Sequence, residues 1–174
     1  MKRELSRSAP LLALVLALGS PAYAADYSGS LGEPGVVWIS DGSRPALTPE
    51  RMMKNLHKTF VPDLIVVTAG SGVRFPNEDS FFHSIYSESM PDAFDIGFYD
   101  TGPGKVVSFA QPGVVDIRCH IHGSMRATIV VVDGPYARID GNGGKYTLPG
   151  VRGGEHTLHV WTLAEGEKKT TIRL

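Results

Sequence analysis

Seven consecutive residues concentrate the chemistry of this chain: Cys119-His120-Ile121-His122-Gly123-Ser124-Met125. They set a thiol, an imidazole and a thioether at the spacing Cys-x-x-His-x-x-Met, and Cys119 is the only cysteine present. A thiolate and an imidazole on one tight turn can reach the same metal ion, while a thioether three residues on approaches from a third side. Two imidazoles, one thiolate and a long, weak thioether contact form the donor set of electron-transfer copper sites. Zinc suits these residues less well, because structural zinc takes four strong N or S ligands. Covalent haem attachment through Cys-x-x-Cys-His needs a second cysteine. The plain alternative is a buried, inert cysteine with an incidental histidine and methionine beside it.

Such a site requires a second imidazole, and five histidines remain besides His122. His83 is the best candidate. It follows the polar turn Asn77-Glu78-Asp79-Ser80 and the aromatics Phe81 and Phe82, at the start of an expected strand. A ligand from a distant strand lets the fold, and not local chain geometry, set the metal position. His120, next to Cys119, is expected to point away from the same ion and to lie near the surface. His57, His156 and His159 have no ligand partners nearby in sequence, so surface or edge positions are the default. His57 stands as an outside option for an additional ligand.

The elements that must position these residues read as short β-strands punctuated by Gly, Pro, Asn and Asp. Strands are expected at 35–40, 64–69, 72–75, 82–87, 94–99, 105–110, 114–119 and 127–132. Two more are expected near 145–148 and 156–163. In the strand that leads to the turn, Val115, Ile117 and Cys119 alternate with Asp116 and Arg118, which puts the cysteine on the core-facing side. The run Ala127-Thr128-Ile129-Val130-Val131-Val132 is apolar enough for an interior strand. One helix is expected, over 48–58, where Thr48-Pro49-Glu50 offers an N-cap, a first-turn proline and an early acid. Many short strands with turn residues between them imply an all-β sandwich or barrel. Composition shifts at Asp133-Gly134-Pro135, after which glycine becomes frequent. A division into 25–133 and a β-strand appendage at 134–174 is drawn there, with the first strand assignable to either part.

The first 24 residues carry Lys2, Arg3 and Arg7, then an uncharged apolar run over 11–19, then Ala22-Tyr23-Ala24. That is the pattern of a secretory signal peptide with cleavage near Ala24. The apolar run is shorter than the roughly 20 residues needed to span a bilayer. The expectation is a periplasmic or otherwise exported protein with no membrane span after cleavage. Lys and Arg total 17 against 18 Asp and Glu, with no basic tract of the kind that marks nucleic-acid binding. In an oxidising compartment an unpaired cysteine is a reactive thiol or is otherwise engaged, which strengthens the metal reading.

These residues resemble the cupredoxins, the blue copper proteins. The Cys-x-x-His-x-x-Met loop is similar in length to the short loop of amicyanin. The stretch Phe75-Pro76-Asn77-Glu78-Asp79 with His83, and Gly113-Val114-Val115 leading to Cys119, look like that family's upstream ligand strand and penultimate strand. The resemblance spans roughly 64–132 and implies a Greek-key β-sandwich holding one copper ion at His83, Cys119, His122 and, axially, Met125. Many cupredoxins carry Asn directly after the upstream ligand histidine, where its amide braces the cysteine loop; here the residue is Ser84. A closer likeness is to exported methylamine-utilisation-type cupredoxin-like proteins that add a segment resembling the carboxypeptidase regulatory β-domain. The closing stretches 139–151 and 154–161 look like that segment, and 35–39 resembles one of its opening strands, with the copper-binding part inserted between.

The function expected on these grounds is single-electron transfer between redox partners, the partner docking near His122, with no enzymatic step. No acid/base pair, activated nucleophile or phosphate-cradling loop is visible. A copper binder or carrier without an electron-transfer role is the alternative, and a sandwich that no longer takes metal is a third reading.

Overall fold

The structure is a computed structural model in which residues 24–174 are described. The expected leader therefore lies outside the described residues, apart from Ala24. Two strands open the chain, β1 (Ala25–Leu31) and β2 (Gly35–Ser40). Short strands follow: β3 (Arg51–Met52), β4 (Lys54–Leu56) and β5 (Thr59–Val61). Next come β6 (Leu64–Thr68), β7 (Ser71–Asn77), β8 (His83–Ser87), β9 (Phe94–Tyr99) and β10 (Gly102–Phe109). The turn is framed by β11 (Gly113–Cys119) and β12 (Arg126–Val132). β13 (Tyr136–Ile139), β14 (Gly144–Val151), β15 (Glu155–Thr162) and β16 (Gly166–Arg173) close the chain.

These strands stack in layers. One sheet runs β10-β7-β4-β5, with β3 also on β7, and a second runs β6-β12-β11-β8-β9. Their inner faces meet through Val73, Phe75 and Phe109 on one side and Ile85, Ile117 and Ile129 on the other. The chain passes between the two sheets after β5, β6, β7, β9 and β10, and β12 returns to lie parallel beside β6. This is a Greek-key β-sandwich. A third sheet, β13-β2-β15-β16, covers the outer face of the second, with Val36, Trp38 and Trp161 packed on Val66, Val130 and Val132. The β1-β14 ribbon covers the far side of that third sheet, through Leu148 and Val151 against Val37 and Ile39.

The layering explains two apolar runs. β12 is buried along 127–132 and β2 along 35–39, because each is covered on both faces, and such strands lose the polar alternation of a half-exposed one. β11 keeps its alternation, with Val115, Ile117 and Cys119 buried and Asp116 exposed. The strand at 35–40 pairs with β13 and β15 and not within the sandwich, so the third sheet draws on both ends of the chain.

The helix expected over 48–58 does not form; among the described residues there is no helix. Thr48 cannot serve as an N-cap, because its hydroxyl accepts the Thr68 backbone N–H at 2.9 Å. Its own N–H donates to Thr68 Oγ1 and Ser71 Oγ. The segment is drawn out along β7 instead, where β3 and β4 pair in parallel and Met53 N–H donates to the Arg74 carbonyl. Met53, Asn55 and Phe60 then point inward at strand spacing. His57 and Lys58 make the two-residue hairpin loop between β4 and β5, both with positive φ (54° and 57°), the backbone that a type I′ turn demands.

Candidate metal centre

β11 and β8 are neighbours, with Cys119 opposite Ile85, so the end of one delivers a thiol beside the start of the other. His83 is fully buried at the first position of β8. Its Nδ1 lies 3.8 Å from Cys119 Sγ. The turn after Cys119 folds His122 back so that its Nδ1 is also 3.8 Å from the same sulfur. Among the described residues, His83, Cys119 and His122 are the one group of metal-donor side chains whose donor atoms all lie within 4.8 Å of one another. Met125 closes the turn by donating its N–H to the His122 carbonyl at 2.9 Å, and at 2% exposure its side chain belongs to the sandwich core.

Donor spacing tests whether these side chains fit a metal. With bonds of about 2.1 Å to imidazole and 2.3 Å to thiolate, donors at a trigonal angle sit about 3.8 Å apart. Both nitrogen–sulfur separations match this. A contact of 3.8 Å is long for a hydrogen bond but suits two atoms sharing an ion. The soft sulfur and the imidazoles fit copper.

The surrounding residues fix the rings. Asp79 Oδ2 lies 2.9 Å from His83 Nε2, leaving Nδ1 to face the sulfur. Asp79 also accepts the backbone N–H groups of His57 (2.7 Å) and Lys58 (3.0 Å). Burial opposes its ionisation, but the Lys58 N–H, the His83 ring and the His57 N–H together outweigh burial and hold the carboxyl below the usual carboxylate range. Asn77 braces the loop between β7 and β8: its side-chain amide donates to the Phe81 carbonyl, and its oxygen accepts the Asp79 N–H. Phe81 packs against both ligand-side rings, with centroids 5.3 Å from His83 and 5.6 Å from His122. Burial first, then the neighbouring His83 and Lys58, push the His122 pKa down, with Asp79 opposing, a direction that favours the neutral ring needed to bind a metal.

The remaining histidines separate cleanly. His120 lies outside the group, exposed, stacked on Tyr86 at 3.9 Å and 3.1 Å from Asp95. His57 is exposed in its turn, and its backbone rather than its ring serves the site. His156 is half-buried, with Nε2 2.6 Å from the Arg152 carbonyl oxygen. His159 corrects the expectation of a surface or edge place: it is buried, stacked on Trp38 at 4.4 Å. Its ring nitrogens lie 3.0 Å from Ser40 Oγ and 2.8 Å from Glu167 Oε1. Ser40 in turn donates to Asp133, so this polar cluster ties the third sheet to the end of β12. Ser84, in the position where a bracing group was expected, is fully buried, yet among the described residues its hydroxyl has no hydrogen-bond partner. The roles of Asp79 and Phe81 were not expected from the sequence. The available signal was a carboxylate four residues before the candidate ligand His83.

No family model and no curated protein matches the chain. It is similar to solved structures at low identity. A Cu-containing nitrite reductase from Thermus scotoductus is 22% identical with a TM-score of 0.46, over 55% of this chain and 25% of that one. A purple cupredoxin from Nitrosopumilus maritimus is 20% identical with a TM-score of 0.42, over 49% of this chain and all of that one. A mutant amicyanin in its Cu(I) form is 16% identical with a TM-score of 0.45, over 55% of this chain and 98% of that one. At such scores the likenesses say nothing of the site, which stands on its own distances.

Proposed function

We propose that this protein is an exported single-electron carrier of the type 1 copper class, with His83, Cys119 and His122 as the strong ligands and Met125 as the weak one. The observation that carries the reading is the pair of 3.8 Å nitrogen–sulfur separations at one buried sulfur. Bound copper supplies a one-electron Cu(II)/Cu(I) couple, with a donor protein giving the electron and an acceptor protein taking it. The chain's part is to hold thiolate, imidazole and thioether so that neither oxidation state requires rearrangement. Thiolate and thioether favour Cu(I), and imidazole accepts both states. Two packed sheets, the Asp79 contact and the Phe81 ring supply that rigidity.

The partner is proposed to dock over His122, the ligand residue nearest solvent. Gly123 and Ser124 are exposed beside it, and exposed Phe82 and Ile121 flank the ligand residues in the chain. Small residues at such a contact allow close approach, and a transient redox contact is small. No catalytic step is proposed. The finer likeness, to methylamine-utilisation-type proteins with a carboxypeptidase-regulatory-like segment, also belongs to this reading. It is supported by the closing-strand sequences and by the pairing of β2 with β15. Under it, the second body spans both chain ends and the copper-binding part is inserted.

The test is the visible spectrum of the Cu(II)-loaded protein beside Cys119→Ser. An intense thiolate-to-copper charge-transfer band, absent from the variant, is expected; a pale spectrum in the parent protein would sink the reading. Reversible voltammetry then separates a carrier from a mere binder. Sequencing the N-terminus of the secreted protein checks export and cleavage near Ala24.

A further inference from the structure

An imidazole binds a metal through one nitrogen only when the other carries the hydrogen, and the partner of the remote nitrogen decides which is which. His83 is fully buried, so no water chooses for it. Its Nε2 faces Asp79 Oδ2 at 2.9 Å and its Nδ1 faces Cys119 Sγ. Asp79 is 6% exposed and is itself immobilised. Two backbone N–H groups, from His57 and Lys58, converge on its carboxylate, and Asn77 holds its own N–H. Those two donors belong to the hairpin loop in which both residues have positive φ. Left-handed backbone is unfavourable for a non-glycine residue, and the carboxylate accepts the N–H groups of both residues that adopt it.

We infer that Asp79 is a positioning residue for the metal centre: it fixes His83 as the Nε2–H tautomer, presents the Nδ1 lone pair to the ion, and strengthens that nitrogen as a donor. The metal half of this inference rests on the proposed copper site; the tautomer half does not. A carboxylate on the far side of a ligand imidazole raises its basicity, and a stronger donor favours Cu(II) over Cu(I). Removing the carboxylate is therefore expected to weaken Cu(II) binding by about 10–100-fold and to raise the midpoint potential. Asp79→Asn keeps an acceptor oxygen for Nε2–H but loses the charge, so it separates orientation from donor strength.

The experiment uses the purified protein without metal and then with Cu(II). Long-range nitrogen–proton NMR of the metal-free protein is expected to show His83 as the Nε2–H tautomer in the parent and in Asp79→Asn, and a mixture in Asp79→Ala. Copper titration is expected to show a 10–100-fold loss for Asp79→Ala, and voltammetry a raised potential for both variants. To guard against loss of the turn alone, Asp79→Ala is repeated with His57→Gly and Lys58→Gly, which tolerate positive φ. A parent-like tautomer in folded Asp79→Ala, or parent-like copper affinity and potential in the folded variants, would overturn the inference. If the parent protein binds copper without a charge-transfer band, the proposed function fails instead, and the tautomer result still decides the role of Asp79.

Discussion

Cys119→Ser tests packing and metal binding in one exchange of a single atom. Cys119 is 4% exposed, lies in the core between the two sandwich sheets, and has an imidazole nitrogen 3.8 Å away on two sides. Serine's shorter C–O bond draws the oxygen back from both rings, beyond the roughly 3.2 Å reach of a hydrogen bond. A buried hydroxyl without a partner costs about 1–3 kcal/mol. For about 150 residues each kcal/mol moves Tm by roughly 2–4 °C, so the metal-free variant is expected to melt about 2–12 °C below the parent. Copper free at a hundred times Kd stabilises the parent by a further 2.7 kcal/mol or so, which is about 5–11 °C on the same scale. An alcohol is not a soft donor, so the variant gains little of this. Calorimetry of both proteins, anaerobic, with and without copper, should therefore show the gap in Tm widening when metal is added. An equal upward shift in both would mean that copper binds elsewhere. An unchanged metal-free Tm would refute the unpartnered-hydroxyl argument.

Gly134→Ala should destabilise by about 3 kcal/mol, at the upper end of overpacking costs, because its Cβ would overlap the Ile39 carbonyl oxygen. A urea midpoint equal to the parent's would show that β2 does not press on this turn. Glu167→Gln removes the carboxylate beside His159 at a partly exposed site, and about 1 kcal/mol of stability is expected to go with it; no change in denaturant midpoint would mean that solvent already screens the pair. Acid should expose the contribution of Asp41, whose carboxyl burial opposes but whose bonds to Ser43 and Arg152 hold below the usual range. Unfolded aspartate titrates near 3.9, so below that value the unfolded chain binds more protons than the native one. The stabilisation is present above about pH 4 and is lost as pH falls through the native value. Asp41→Asn should flatten that acid limb, and an unaltered pH profile would refute the assignment.

Features governed by local physics are legible in the chain. Alternation at Val115, Ile117 and Cys119 follows from the two-residue period of a strand, whatever lies around it. The apolar run at 127–132 needs cover on both faces wherever it is placed, and it is an inner strand here. Three of the metal-donor types sit within seven residues, so one tight turn gathers them. The helix expected over 48–58 does not form, because its sound N-cap signal is overruled by Thr68, Ser71 and the edge of β7, partners at least twenty residues away. Local helix preference amounts to tenths of a kcal/mol per residue, and a strand's hydrogen bonds and inward side chains outweigh it.

Residue types and their spacing alone put a soft sulfur, an imidazole and a thioether on one turn and build the chain from strands. Tertiary structure alone decided that His83 reaches the same sulfur from thirty-six residues away, because that requires β8 to pair with β11. It alone buried His159 beneath Trp38, left Ser84 without a partner, and turned Asp79 toward a ring and a hairpin loop at once. A strand's period records which face a side chain takes. It holds no record of which strand will lie opposite, and at this site the choice of neighbour is what turns a cysteine turn into a candidate metal centre.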